Sequence, residues 1–210
     1  VQTCALPILW FFNSGYLPAT GWASQLSNIR NFDAASPAKD TDAITFTLAG
    51  KKFDEIRAAL SMRGMYLFGS SGEWLLSGVG GAAPTARAMV ADPISYWGSG
   101  WLDPLVVGED ILFVTGQEGH VRLLGQLANT TQVNYDEGSD LSFLASHLFI
   151  EHELVSWAWQ NVPHKTLWCV RDDGILLSLS YVKDTKQAAW CWHDTDGRSE
   201  EHTSELQSRS

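Results

Sequence analysis

Short apolar runs broken by glycine-bearing turns recur along this chain, and a repeated strand-and-turn unit leaves few architectures open to it. Ile56–Leu60 and Met65–Phe68 flank Met62-Arg63-Gly64, and Gly69-Ser70-Ser71-Gly72 then leads into Glu73-Trp74-Leu75-Leu76-Ser77-Gly78. The pattern returns as Leu105–Val107, Gly108-Glu109-Asp110, Ile111–Val114, Gly116–Gly119 and Val121–Leu124. A third, longer round runs through Leu154–Trp159, the turn Asn161-Val162-Pro163-His164, Thr166–Val170, Arg171-Asp172-Asp173-Gly174, Ile175–Tyr181 and Ala188–Trp192. Asp173-Gly174 is the strongest of these turn signals, because a tight hairpin needs backbone angles that Gly adopts without strain.

Aligning the turn glycines Gly72, Gly119 and Gly174 gives spacings of 47 and 55 residues. A period of roughly 40 to 50 residues carrying about four strands is what a propeller blade requires. The expected fold class is therefore all-β: a partial β-propeller of repeated four-stranded antiparallel meanders. A sandwich or one long meander would also space its strands evenly. One short helix is expected over Leu141–Phe149, started by Ser139 or Asp140, with Leu141, Leu144, Ala145 and Leu148 on one face. Set between blades, it would account for the longer second spacing. Asp33–Asp42 and Gly78–Pro84 read as loops.

The two ends read differently from the body. Val1-Gln2-Thr3-Cys4-Ala5-Leu6-Pro7-Ile8 back-translates as GTT CAG ACG TGT GCT CTT CCG ATC. The reverse complement, preceded by one A, translates as Arg-Ser-Glu-Glu-His-Thr-Ser-Glu, the run from Arg198 to Glu205. The termini thus read as two strands of one DNA element that resembles a short-read library adapter. On this reading residues 1–8 and 198–210 are adapter-derived, and 9–197 form an incomplete propeller-like domain whose gene continued on both sides.

The chain holds 14 basic and 24 acidic residues, a net charge of −10. Without Arg198, Arg209, Glu200, Glu201 and Glu205 the counts are 12 and 21, a net of −9. An acidic balance argues against an electrostatic nucleic-acid binder, which needs a clustered basic footprint. No apolar run approaches the roughly 18 residues of a membrane span. All 10 Trp residues lie in the body, enough large apolar surface for a core. Cys169 and Cys191 fall on strands two spacings apart, about 9.6 Å, beyond the roughly 7 Å that a disulfide tolerates. Both are expected to be small buried hydrophobes.

Residues that could carry chemistry are few. His193-Asp194-Thr195-Asp196-Gly197 offers a carboxylate pair or a cation site, against the plainer reading of a polar turn after a strand. Arg171-Asp172-Asp173-Gly174 lacks the sixth-position Gly and twelfth-position Glu of a calcium loop, and reads as a hairpin turn. His120, His147, His152 and His164 show no i, i+4 zinc spacing. Ser70-Ser71-Gly72-Glu73 lacks the strand-to-helix setting of a nucleophile elbow. Gly78-Val79-Gly80-Gly81 is not followed by the Lys-Ser/Thr of a phosphate loop. Trp157/Trp159 and Trp190/Trp192 each share one strand face, which suits packing between sheets or, less commonly, a sugar platform.

A succession of stretches adds a family resemblance. It runs Asp42-Ala43-Ile44, Ile56-Arg57, Ser71-Gly72-Glu73-Trp74-Leu75-Leu76-Ser77, Pro84-Thr85, Ser95-Tyr96-Trp97-Gly98 and Pro104-Leu105-Val106-Val107-Gly108. It continues with Ile111-Leu112-Phe113-Val114, Ser146-His147-Leu148-Phe149, Arg171-Asp172-Asp173-Gly174 through Tyr181, and Trp192-His193-Asp194-Thr195-Asp196-Gly197. In this order the motifs resemble a group of bacteriophage tail proteins, themselves similar to the nozzle, or packaged-DNA-stabilisation, proteins of short-tailed phages. The resemblance covers nearly all of 42–197. Trp190-Cys191-Trp192-His193-Asp194 is compact where relatives often carry an extra aromatic or histidine.

What the resemblance implies is a propeller whose copies form a ring in the virion, below portal and tail-adaptor proteins. It would extend the DNA channel, retain packaged DNA that passes without sequence-specific contact, and carry tail fibres. It brings no catalytic, cofactor-binding or metal-binding residues, and no enzyme activity or membrane span. Two other classes remain open from the residues: a carbohydrate-binding or depolymerising propeller of tailspike type, and a generic propeller scaffold.

Overall fold

A computed structural model describes residues 11–14, 16–25, 28–50, 54–62, 64–81, 83–116, 119–129, 132–182 and 187–194, with side chains of 11–14, 81 and 126–139 left aside. Both adapter-like ends therefore lie outside the described residues. The chain divides into two compact units, Val1–Trp101 and Leu102–Ser210.

The first unit opens with a three-stranded sheet: β1 (Phe11–Ser14), β2 (Leu17–Ala23) and β3 (Ile44–Thr47), in that order. In β3, Ile44 and Phe46 point inward and Thr45 and Thr47 outward, the period-two pattern of a sheet with one covered face. A four-stranded meander follows: β4 (Ile56–Ser61), β5 (Met65–Gly69), β6 (Glu73–Ser77) and β7 (Val90–Ser95). The two sheets share a core of Ala23, Ile44, Phe46 and Leu48 against Ile56, Leu67, Trp74 and Leu76.

The second unit holds two more meanders. One is β8 (Leu105–Val107), β9 (Asp110–Val114), β10 (Val121–Asn129) and β11 (Gln132–Asp140). The other is β12 (Leu154–Gln160), β13 (Thr166–Arg171), β14 (Leu176–Val182) and β15 (Gln187–His193). Their common core joins Leu112, Val114, Val121 and Leu123 to Leu167, Cys169, Leu177 and Leu179. Trp157, Trp159 and Trp190 pack on it, as expected between sheets, whereas Trp192 of the second pair is exposed. Every pairing within the four sheets is antiparallel and joins neighbours in sequence. The fold class is thus all-β, with blade-like meanders.

Repetition is visible in the register. Gly72, Gly119 and Gly174 all fall between the second and third strands of their sheets. A register shift lies at the start of the first strand in two of them, between Ile56 and Ala58 and between Leu154 and Ser156. The longer second spacing has two sources rather than one. Residues 96–104 join the earlier pair of four-stranded sheets, whereas 141–153 join the later pair. In addition, Gly119 stands 14 residues after Leu105, but Gly174 stands 20 after Leu154.

Two expectations need correction. The short helix expected between β11 and β12 is present, but as 3-10 turns over Phe143–Leu148 rather than over Leu141–Phe149, interrupted at Ala145 (φ −119, ψ 24). Asp140 is the last residue of β11, and the Leu141 N–H still bonds the Val121 carbonyl, so the chain is held to the sheet where a helix from Leu141 would have to start. Leu141, Ala145 and Phe149 are buried, while Leu144 is 88% exposed. Cys191 is exposed rather than buried, although Cys169 is fully buried and both are free. The reason is register: Cys169 pairs with Leu177, whose other partner is Trp192, so Cys191 faces the opposite side of the sheet.

Candidate functional site

Polar side chains gather where the turns between second and third strands meet the segments entering or leaving each sheet. In the β4–β7 sheet, Asp54 lies just before β4 and reaches the β5–β6 turn. Its Oδ1 accepts from the Ser71 N–H at 3.0 Å, and its Oδ2 accepts from Trp74 Nε1 at 2.7 Å. A Cβ at Gly69 would sit 2.1 Å from Asp54 Oδ1, so the close approach requires glycine. Ser70 donates its N–H to the Glu55 carbonyl and accepts the Glu55 N–H at its Oγ. Glu73, fully buried, takes a short hydrogen bond from Ser95. Burial pushes the Glu73 carboxyl up to about 7, against the lowering effect of Ser95.

The β8–β11 sheet uses a different set. His120 Nδ1 lies 2.7 Å from Asp140 Oδ2, and Asp140 Oδ1 accepts from both the N–H and the Oγ of Ser142 at 2.9 Å. Ser142 Oγ in turn accepts the N–H of buried Val121 at 2.9 Å. Burial raises the Asp140 carboxyl, but the bonds from His120 and Ser142 together outweigh it and hold the group below its ordinary value.

In the β12–β15 sheet, the expected hairpin at Arg171-Asp172-Asp173-Gly174 is present, with Gly174 at φ 80. His152, two residues before β12, places Nδ1 2.8 Å from Asp172 Oδ1 and Nε2 3.8 Å from Asp173 Oδ2. Arg171 grips Asp173 with Nε (3.0 Å to Oδ1) and Nη2, and donates Nη1 to the Leu148 carbonyl at 2.8 Å. Its guanidinium holds the Asp173 carboxyl down at about 2, and the bond from His152 lowers that of Asp172.

His152, Asp172 and Asp173 offer ligand atoms within 4.8 Å of one another, the spacing a small cation would use. The chemistry of the set does not favour one. Asp173 already carries a guanidinium on both oxygens, so a cation would have to displace a two-point ion pair and then sit beside Arg171. The group is a turn anchor.

The sequence-derived candidates separate here. Asp194 is exposed at the end of β15, and Thr195, Asp196 and Gly197 lie outside the described residues. His193 Nε2 lies 2.8 Å from Ser178 Oγ, and its ring stands 5.3 Å from that of Trp168. His147 and His164 are exposed. The loop 78–84 contains a 3-10 turn, Val79–Gly81, with Gly80 at φ 73. The anchors through Asp54, Asp140 and His152 were not legible as groups. Asp54 and Ser70 are 16 residues apart, and His120–Asp140 and His152–Asp172 are each 20 apart, so they meet through the strand register.

No protein-family model matches the chain, and no curated protein matches it. Among the described residues, no helix is long and apolar enough to cross a membrane.

Proposed function

We propose that the chain is a structural part of a phage virion tail, a nozzle-like ring protein that lines or closes the DNA exit channel. The observation that carries this reading is the use of its polar side chains. Asp54, Asp140, Asp172 and Asp173 accept hydrogen bonds that tie turns to the segments flanking each sheet. That is investment in a stiff blade rather than in a cleft. The order of family-like motifs supports the phage assignment, and the −9 balance of the body suits a channel wall, since a cationic wall would hold a polyanion that must pass.

The test is genomic. Sequencing the source DNA across both ends of the reading frame should reveal further strand-and-turn repeats beside portal and terminase-like genes. A frame set among metabolic genes, with no virion genes nearby, would overturn the proposal.

A further inference from the structure

Three large aromatic side chains face solvent in the segment that follows β7. Tyr96, Trp97 and Trp101 are 70%, 50% and 72% exposed, while Gly98 and Ser99 between them are buried. The backbone that carries these rings is tied to the sheet. Ser95 donates to the Glu73 carboxyl, and the Trp97 N–H donates to the same group. The Ser99 N–H donates to the Gly69 carbonyl at 2.8 Å, and Arg57 Nη1 donates to the Ser99 carbonyl at 2.5 Å. Gly98 lies so close to the Ser70 carbonyl that a Cβ would come within 2.3 Å of its oxygen. A loop pinned in this way has little freedom left to lose when something binds to its side chains.

Trp101 is supported from one side. The Arg57 guanidinium lies 4.8 Å from the centre of its ring, and Arg57 Nε lies 3.8 Å from Glu55 Oε2. The rest of the indole is open, beside a carboxylate that is itself partly exposed.

The chemistry of the segment narrows what it can receive. Tyr96-Trp97-Gly98-Ser99-Gly100-Trp101 contains no aliphatic side chain and no charge. Aromatic anchors of a protein interface sit within a rim of side chains that excludes water, and glycine and serine supply no such rim. A bilayer surface calls for basic residues beside the aromatics, whereas Arg57 is engaged and Glu55 adds negative charge. A pyranose ring offers the complement: a flat C–H face for an indole or phenol, and hydroxyls that donate to Glu55. From Tyr96 to Trp101 the chain spans at most about 18 Å, the reach of a short oligosaccharide.

We infer that residues 96–101 form a binding platform for a neutral oligosaccharide of gluco-configured sugars. Trp101 is the principal stacking ring, Tyr96 and Trp97 flank it, and Glu55 accepts from sugar hydroxyls. Trp157, Trp159 and Trp190 pack on a core, so the aromatic surface open to a sugar in the first unit lies on this loop instead. The platform is independent of the ring reading above.

The test is calorimetric titration of the full chain with cellohexaose, maltohexaose and chitohexaose, with saturation-transfer NMR on the sugar that binds. At least one should bind, and its ring C–H protons should receive saturation from the protein. Trp101→Ala should weaken binding by roughly tenfold or more, and Trp101→Phe by less, with the strand circular dichroism unchanged. Tyr96→Ala should weaken it too, and reads the same site if Trp101→Ala disturbs the strands. Trp192→Ala, which removes the exposed indole of β15, should leave the affinity as it was. Failure of all three sugars to bind overturns the platform, as does binding that survives Trp101→Ala or is lost equally in Trp192→Ala. Sedimentation with phosphatidylcholine vesicles that depends on Trp101, with no sugar bound, would overturn it in favour of a bilayer.

Discussion

Glu73 and Ser95 stand opposite each other on β6 and β7, and the Glu73 carboxyl is buried against the Ser95 hydroxyl. A carboxyl kept from water holds its proton longer. Folded Glu73 titrates at about 7, whereas an unfolded one would release its proton near 4.5. Below the lower value both states are protonated and nothing is lost. As pH rises through the window the unfolded state ionises first, so stability declines, by about 3 kcal/mol in all. Glu73→Gln keeps a partner for Ser95 without the titration. Its melting temperature should exceed that of the parent near neutral pH, and the difference should shrink towards pH 4.5; an unchanged difference would rule out Glu73 as the source.

Gly98 makes a separate demand on the same sheet. It adopts φ +74, and a Cβ there would lie 2.3 Å from the Ser70 carbonyl oxygen. A left-handed backbone costs a non-glycine residue about 1 kcal/mol or more, and here the obstacle is main chain rather than a movable side chain. Gly98→Ala should lower the urea midpoint clearly, whereas Gly108→Ala, at φ +66 but with open space, should cost only the backbone term.

These two positions show what the sequence could and could not reveal. Turn glycines and apolar runs are local, and they placed Gly72, Gly119 and Gly174 correctly between second and third strands. β11 was not legible, because Gln132–Asp140 carries few of the apolar residues that mark a strand and is held by pairing with β10. The Leu141–Phe149 spacing looked helical because Leu141, Leu144, Ala145 and Leu148 would share one face, yet the tight turns bury Leu141 and Ala145 and leave Leu144 exposed. Cys191 was misplaced because burial follows register parity, and parity is set by a partner strand rather than by the residue itself. The anchors at Asp54 and His152 are farther still from local signals, since each joins the start of a first strand to a turn further along.

The Arg171–Asp173 pair separates anchoring from metal binding. Arg171 is buried, and Arg171→Met would leave Asp173 and the Leu148 carbonyl without their donor, a loss on the order of 2–3 kcal/mol. Calcium, magnesium or zinc should leave the melting temperature of the parent unchanged, because the guanidinium holds both carboxylate oxygens. A metal-dependent rise in the parent would contradict the anchor reading.

Ser142 supports two elements at once, which makes it the more sensitive half of the Asp140 group. Its Oγ accepts the Val121 N–H and donates to Asp140, and both Ser142 and Val121 are fully buried. Ser142→Ala therefore strands a buried N–H, at about 1–3 kcal/mol, at every pH. Asp140→Asn acts otherwise. The folded Asp140 carboxyl titrates below its ordinary 3.8, so its stabilisation is present above that value and lost as pH falls through the folded one. Denaturant unfolding at neutral pH and again at strongly acid pH distinguishes the two. The deficit of Ser142→Ala should persist in acid, while that of Asp140→Asn should narrow as the parent carboxyl takes up its proton; equal deficits at both would show that the Asp140 charge contributes nothing.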